Sequence, residues 1–184
     1  MGNVKTDNSM KKIANINQGD LLTFKATDDK YKVLLCTSTS KEKSPQNFSF
    51  AALTYDNEDK PTVEDILHSD FWGIGNTKND YFKYSDIELN QMWNIHPETK
   101  PYFLGSYRLI ICRKDFMKFR DNFEIIGNLK IVDNLEKNGN GGMNSSDWSF
   151  ITDFFTFKIN SVLPERGQKT FKLKAIIKEW QVRM

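Results

Sequence analysis

Two segments near the end of the chain alternate apolar and polar residues with a period of two. They span residues 150–163, with the run FTFKI from Phe155, and residues 170–182, with the run FKLKA from Phe171. This alternation is typical of strands with one buried face. The intervening residues, Pro164 to Gln168, have the composition of a turn. The pattern therefore predicts a long hairpin at the end of the chain.

Apolar runs of strand length predict five further strands. Residues 31–37 carry apolar side chains toward both faces, which is typical of a central strand. Gly127 interrupts the last of the five and predicts a β-bulge. The predicted strands span residues 21–26, 31–37, 47–55, 107–112 and 124–132.

Two short helices are predicted between these strands. The first begins at Pro61 or Thr62, because Thr62 and Asp65 have the spacing of a capping box, and it ends near Phe71. The second spans residues 113–122, where phenylalanines recur at helical spacing.

Many strands with two short helices predict an α+β domain with a mostly antiparallel, strongly curved sheet or partial barrel. Residues 1–18 are polar and are predicted to be a flexible N-terminal segment, and residues 19–184 a single domain. Residues 72–101 are open to three interpretations: a long functional loop, a short strand with a helical turn, or both.

Composition narrows the class of protein. With 184 residues and 39% hydrophobic content, the chain can form a core without stabilising disulfides or metal ions. The net charge of +2 disfavours a dedicated nucleic-acid binder. Cys36 and Cys112 lie in apolar strands, and neither a secretory segment nor an apolar stretch of membrane-spanning length occurs. We therefore expect a cytoplasmic protein with reduced, buried thiols rather than a disulfide, and no membrane partner.

The sequence contains no recognisable catalytic or metal-binding motif. Only His68 and His96 could serve as a catalytic base, and a solvated or structural histidine is the expected interpretation of both. Two cysteines and two histidines without paired spacing make a poor zinc site. The glycine-rich residues 138–142 lack the Lys-Ser/Thr of a phosphate-binding loop. We expect a protein that is not an enzyme and that needs no metal or cofactor.

The first of two candidate binding surfaces combines negative charge with aromatic side chains in the middle of the chain. Aromatic residues supply binding hot spots, and charges supply association rate and specificity. In the alternative interpretation the tryptophans belong to the core and the acids are solvated. The candidate partner-binding residues are Asp56, Glu58, Asp59, Asp70, Trp72, Asp80, Asp86, Glu88 and Trp93.

The second candidate surface is basic. Lys158, Lys172 and Lys174 would share one side of the terminal hairpin, with Lys178 nearby. Such a face could contact phosphates. The alternative is an exposed sheet face whose edge lysines prevent aggregation.

The run GDLLTF from Gly19, followed by DKY from Asp29 and VLL from Val33, resembles the opening of a bacterial immunity-protein family. It is the family numbered twenty-six among the immunity families of polymorphic toxin systems. Its members begin with a Gly-Asp strand, a turn with Gly or Lys before an aromatic residue, and a second apolar strand. They tend to carry glycine where this chain has Lys32.

The resemblance implies a cytoplasmic, non-enzymatic immunity protein that binds and neutralises a cognate toxin domain. If that toxin acts on nucleic acid or a nucleotide, its basic site would face the acidic surface. The alternative function is a β-barrel-like binding module for single-stranded nucleic acid or a small ligand, which would use the basic face. A structural subunit of a secretion or phage system is a third hypothesis.

Overall fold

The computed structural model describes residues 13–40, 47–74, 87, 105–131 and 142–179. The strands within these residues are β1 (Asp20–Lys25), β2 (Tyr31–Ser40), β3 (Asn47–Ala52), β4 (Asp70–Ile74), β5 (Gly105–Ser106), β6 (Arg108–Cys112), β7 (Glu124–Asn128), β8 (Lys130–Ile131), β9 (Gly142–Asn144), β10 (Lys169–Lys172) and β11 (Ile177–Glu179). The α-helices are α1 (Val63–Leu67), α2 (Arg113–Phe119), α3 (Trp148–Asp153) and α4 (Ile159–Glu165). A π-helical segment, Phe154–Lys158, joins α3 to α4.

The largest element is a six-stranded sheet with the order β7-β1-β2-β3-β6-β9. All its neighbouring strands are antiparallel except β6 and β9, which are parallel. A three-stranded sheet has the order β10-β4-β5, and a two-stranded sheet pairs β11 with β8. The α+β prediction is confirmed. The described strands form an open, mixed sheet with β7 and β9 at its edges, so the strongly curved sheet or partial barrel is not supported.

Both faces of this sheet are covered. Side chains that include Phe24, Leu34 and Phe50 form one core, with α2 and the helical run of residues 148–165 against them. Side chains that include Leu21 and Leu35 form a second core on the opposite face, with α1 and the residues around β11. The central position predicted for β2 is confirmed by its place in the sheet.

The predicted terminal hairpin is wrong. Residues 148–165 are helical, and β10 pairs with β4 instead. The buried Ile151, Phe155, Ile159 and Leu163 recur every four residues, so they form one helical stripe. Asp147 caps this run by accepting a hydrogen bond from Ser149 N at 2.8 Å. The second predicted strand is divided into β10, a 3₁₀ turn over Leu173–Ile176 and β11.

Helix α1 has the predicted capping box between Thr62 and Asp65, but it ends at Leu67 rather than near Phe71. Residues 70–74 form β4, because their backbone groups pair with β10 on one side and β5 on the other. The second predicted helix is confirmed as α2 followed by a short 3₁₀ turn. Besides Ile87, which is also helical, the described residues contain four α-helices where two helices were predicted.

Residues 13–18, the described part of the predicted flexible N-terminal segment, contact the rest of the fold. Ile13 and Ile16 are buried in the first core, and Arg120 Nη1 donates to Ile13 O at 3.2 Å.

The bulge predicted at Gly127 is confirmed, since Leu21 pairs with Gly127 and Leu22 with Ile125. Of the ambiguous residues 72–101, only 72–74 and Ile87 are described.

Cys36 and Cys112 are both free, as predicted. No helix in the described part of the chain combines the length and the apolar character needed to cross a membrane.

Candidate partner-binding surface

The acidic loop, which we define as residues 54–60, follows β3 and is tied to its surroundings by several bonds. Tyr31 N donates to Asn57 O at 2.7 Å. Tyr55 Oη donates to Asp59 O at 2.9 Å, and Lys60 Nζ forms an ion pair with Glu124 Oε1 at 2.6 Å. Because both its middle and its end are held, the loop presents its carboxylates in a defined arrangement.

Asp56, one of the predicted partner-binding residues, is engaged within the protein. Its Oδ1 accepts from Lys32 Nζ at 2.7 Å, and the Lys32 side chain is only 3% exposed. Lys32 Nζ also lies 2.9 Å from Asp28 Oδ2. Burial acts to raise the pKa of Asp28, but hydrogen bonds from Lys32 and the Lys30 backbone outweigh it and lower that pKa. This one buried ammonium therefore compensates two carboxylates.

Asp70 and Trp72 both lie on β4, and neither is a free binding residue. The carboxylate of Asp70 forms an ion pair with Lys172 Nζ at 2.9 Å. Trp72 is 8% exposed and belongs to the first core. Trp72, predicted as a partner-binding residue, thus lies where the alternative interpretation places it, in the core.

Glu58 and Asp59 are exposed and lie on the acidic loop, as does the exposed Asp56. The structure thus brings three of the predicted residues, Asp56, Glu58 and Asp59, together. Asp70 is close to them in space, because Asp70 N donates to Thr54 Oγ1 at 3.0 Å. Predictions for Asp80, Asp86, Glu88 and Trp93 fall outside the described residues.

The terminal hairpin that was predicted to carry the basic face does not form. Lys158 lies on the π-helical segment, Lys172 on β10, Lys174 on the 3₁₀ turn and Lys178 on β11. All four are exposed, but they belong to four different elements, because the terminal hairpin that would have aligned them is absent.

An exposed aromatic face, which the sequence analysis missed, lies on the helical run of residues 148–165. Phe157 is 67% exposed and Phe150 is 39% exposed. The ring of Phe150 stacks on Phe154 at a centroid distance of 6.3 Å. The apolar residues at positions 151, 155, 159 and 163 have the spacing of a helix. That spacing was the signal in the sequence that could have placed Phe157 on the exposed side.

The helical run packs beside the acidic loop. Asp56, Phe155, Ile159 and Asn160 line a shared depression of about 50 Å³ above Lys32. Thr27 Oγ1, in the turn between β1 and β2, donates to Asp153 Oδ1 at 3.0 Å. We define the candidate partner-binding surface as the acidic loop together with the exposed Phe150 and Phe157.

The residues that carry the family resemblance have structural roles. Gly19 has a φ of 90°, and a Cβ there would lie 2.0 Å from Leu129 O. Asp20 is buried and accepts from Asn17 N at 2.7 Å and from Asn128 Nδ2 at 2.8 Å. The Gly-Asp pair therefore joins the chain before β1 to the end of β7.

The described titratable groups do not assemble into a recognisable catalytic or metal site. His68 is exposed directly after α1, and His96 is not among the described residues. Within the described ranges, no three His, Cys, Asp or Glu side chains are grouped so as to hold a metal ion. Burial, together with the charge of Asp20, raises the pKa of the Cys36 thiol well above its usual value.

Three comparisons with known proteins were made. Neither protein-family models, nor curated proteins, nor solved structures match this chain.

Proposed function

We propose that this protein is a non-catalytic, cytoplasmic immunity protein that binds a cognate bacterial toxin domain and neutralises it. The observation that carries the proposal is the exposed Phe157 on a helical run that packs beside an anchored acidic loop. The resemblance of residues 19–35 to an immunity family supports the same class of function.

The aromatic residue supplies the anchor of the proposed interface. A phenylalanine that is two-thirds exposed on a helix leaves apolar area in water, and burying it in a partner recovers that cost. Phe150, half-exposed on the same run, extends the apolar area. Buried aromatic side chains near the centre of an interface carry a large share of binding energy.

The acidic loop supplies the charged rim. Glu58 and Asp59 project from the acidic loop. Because bonds to β2 and β7 already hold this loop in place, little ordering is required on association. Acidic side chains of this kind accelerate the approach of a basic partner. A toxin that acts on nucleic acid or on a nucleotide would present such a basic site. Asp56 and Asp70 contribute less, because lysines already compensate their charges.

The alternative function, a barrel-like module for single-stranded nucleic acid, has less support. It needs lysines and aromatic side chains aligned on one face of a sheet. The four candidate lysines lie on separate elements, and Lys172 is paired with Asp70.

The test combines partner capture with protection of cells. Tagged wild-type protein, Phe157→Ala and the double variant Glu58→Lys/Asp59→Lys are used to retain partners from a lysate of the encoding bacterium. Each stoichiometric partner is then expressed from an inducible promoter, alone and with each variant. We expect one partner that arrests growth alone, relief by the wild type, and weaker relief by both variants.

Two control variants change the same chemistry elsewhere. Met117→Ala removes an exposed apolar side chain from α2, and Glu165→Lys reverses an exposed charge at the end of α4. Both should protect as the wild type does. The proposal fails if no retained partner is toxic, or if the wild type leaves growth arrest unchanged.

A further inference from the structure

A second concave site lies at the β9 end of the six-stranded sheet, and none of its described lining residues belongs to the candidate partner-binding surface. Its volume is about 500 Å³, and small-molecule sites usually enclose roughly 300–1,000 Å³. Strand β3 contributes Asn47 and Ser49. The other described lining residues are Arg108, Ile110 and Cys112 of β6, Asp115 of α2, Asn144 of β9, and Ser145 and Ser146.

The alternation of side chains explains why this site is polar. Phe48 and Phe50 of β3 face the first core, so Asn47 and Ser49 project from the opposite face. Ser49 pairs with Ile110 in the ladder between β3 and β6, which places the two strands' outward side chains next to each other. Ala51, one pleat further along β3, belongs to the second core. That core therefore ends between Ala51 and Ser49, and polar groups line the face beyond it.

Arg108 is the exceptional residue of this site. Its Nε is enclosed, yet it donates to no acceptor in the part of the chain that the structure describes. An enclosed charged donor without a partner costs free energy, and nearly all buried polar groups in folded proteins are paired. Among the described residues, Arg108 therefore keeps an unused donor that a ligand acceptor in this site would satisfy.

The charge balance of the site favours an anion. Asp115 is the single acidic side chain among the described lining residues, and its Oδ1 is already bonded to Lys118 Nζ at 2.7 Å. Among the described lining residues, no acidic group thus remains to compensate the positive charge of Arg108. A guanidinium presents a planar fork of donors that matches the oxygens of a carboxylate or phosphate.

We propose that this site binds a small polar molecule through a carboxylate or phosphate group held by Arg108. The site is larger than the anion alone, so the rest of the molecule lies against the hydroxyl and amide groups of Ser49, Asn47 and Asn144. Ile110 and Cys112 provide its less polar floor. This inference is independent of the proposed function.

Nitrogen-15 NMR of the full chain tests the site directly, because the Arg108 Nε–H resonance reports on its own acceptor. The probes are inorganic phosphate, acetate, ribose 5-phosphate and glutamate, each added at constant ionic strength. We expect a saturable shift of this resonance, with the larger member of the preferred pair binding about tenfold more tightly than the bare anion. The pair that binds distinguishes a phosphate ligand from a carboxylate ligand.

Three variants separate a specific site from general attraction of anions. Arg108→Gln should abolish the saturable shifts of the Ser49 and Asn144 amides. Lys114→Gln removes an exposed positive charge of α2 that does not line the site, and it should retain them. Ser146→Asp leaves Arg108 in place but supplies a competing carboxylate, so it should weaken binding even if Arg108→Gln does not fold.

Two results would overturn the proposal. One is a shift that remains linear up to about 50 mM of all four probes, where a site with millimolar affinity would be saturated. The other is equal binding by the wild type and Ser146→Asp.

Discussion

Lys172 Nζ lies 2.9 Å from a carboxylate oxygen of Asp70, at the position where β10 pairs with β4. The sequence places these two residues on separate candidate surfaces, one basic and one acidic. In the fold they form a cross-strand ion pair and partly cancel each other's charge. The binding surfaces therefore have to be sought among charges without such a partner.

The first prediction concerns the stability of this pair. The Lys172 side chain is 70% exposed, so water already screens the interaction. We expect Lys172→Gln and Asp70→Asn each to lower the free energy of unfolding by less than about 1 kcal/mol. Urea denaturation measures the change. A loss of several kcal/mol in either variant would show that the pair is not screened as its exposure implies.

A much larger effect is expected at Lys32, which compensates both Asp28 and Asp56 from a buried position. Lys32→Met removes the ammonium and leaves the two carboxylates facing each other. Both carboxylates are partly exposed and can rehydrate. We therefore expect the free energy of unfolding to fall by about 2–3 kcal/mol, which is less than the full cost of breaking a buried pair. Lys25→Met is the matched control, because the Lys25–Asp29 pair at 3.8 Å is exposed. Equal losses in the two variants would contradict the role of Lys32.

Prediction from sequence succeeds where only one period fits the residues. In β2 the run from Val33 to Leu35 is apolar on both faces, and the strand lies in the middle of the sheet. At Thr62 and Asp65 the capping chemistry is local, so the start of α1 is predicted correctly. In residues 150–163, by contrast, Phe155 and Ile159 satisfy a period of two and a spacing of four equally well. Tertiary packing decides between these periods, and it selects the helix.

The candidate sites depend on that decision. With the segment assigned as a strand, Phe157 would face a core and Lys158 would align with Lys172. With the segment helical, Phe157 is exposed and Lys158 is no longer on the same hairpin as Lys172. Glu58 and Asp59 are exposed in the fold, as the polar composition of their turn favours, and their role in partner binding stays a prediction. The pocket at Arg108 depends on where the second core ends along β3, and the sequence of β6 alone does not contain that boundary.

The two thiols should differ in reactivity. Cys36 is fully buried, and its pKa is raised by burial and by Asp20, so it presents no thiolate to reagents. Cys112 is half-buried and lines the pocket at Arg108. We expect a thiol-specific reagent to modify Cys112 in the folded protein and Cys36 only after unfolding, as measured by peptide mass spectrometry. Cys112→Ser should leave no thiol that reacts in the native state; rapid labelling of Cys36 would be incompatible with its burial.

Gly19 and Gly167 allow a matched test of backbone strain. Both have positive φ, but a Cβ at Gly19 would lie 2.0 Å from Leu129 O, whereas a Cβ at Gly167 meets nothing within 4 Å. Gly167→Ala should therefore cost about 1 kcal/mol from conformation alone. Gly19→Ala adds a backbone clash and should cost at least about 2–3 kcal/mol. Thermal unfolding of both variants measures this difference, and a Gly19→Ala variant no less stable than Gly167→Ala would refute the close approach.

Acid should weaken the cap of α1. Hydrogen bonds from the Thr62 hydroxyl and backbone lower the pKa of Asp65 in the folded protein below its value of 3.8 in an unfolded chain. A carboxyl group with a depressed folded pKa stabilises the fold above its unfolded pKa, and this contribution is lost as the pH falls through the folded pKa. Stability should therefore decrease below about pH 4 as the group becomes protonated.

Asp65→Asn removes this titration, so its free energy of unfolding should depend less on pH below about pH 4 than that of the wild type. Glu64→Gln, on the same turn, removes a charge but no capping hydrogen bond, and it should keep the wild-type slope in this range. Thr62→Ala removes the other half of the capping box and should cost about 1 kcal/mol at neutral pH. Urea denaturation at several pH values measures all three variants. A slope for Asp65→Asn equal to that of the wild type would exclude Asp65 as a source of the acid sensitivity.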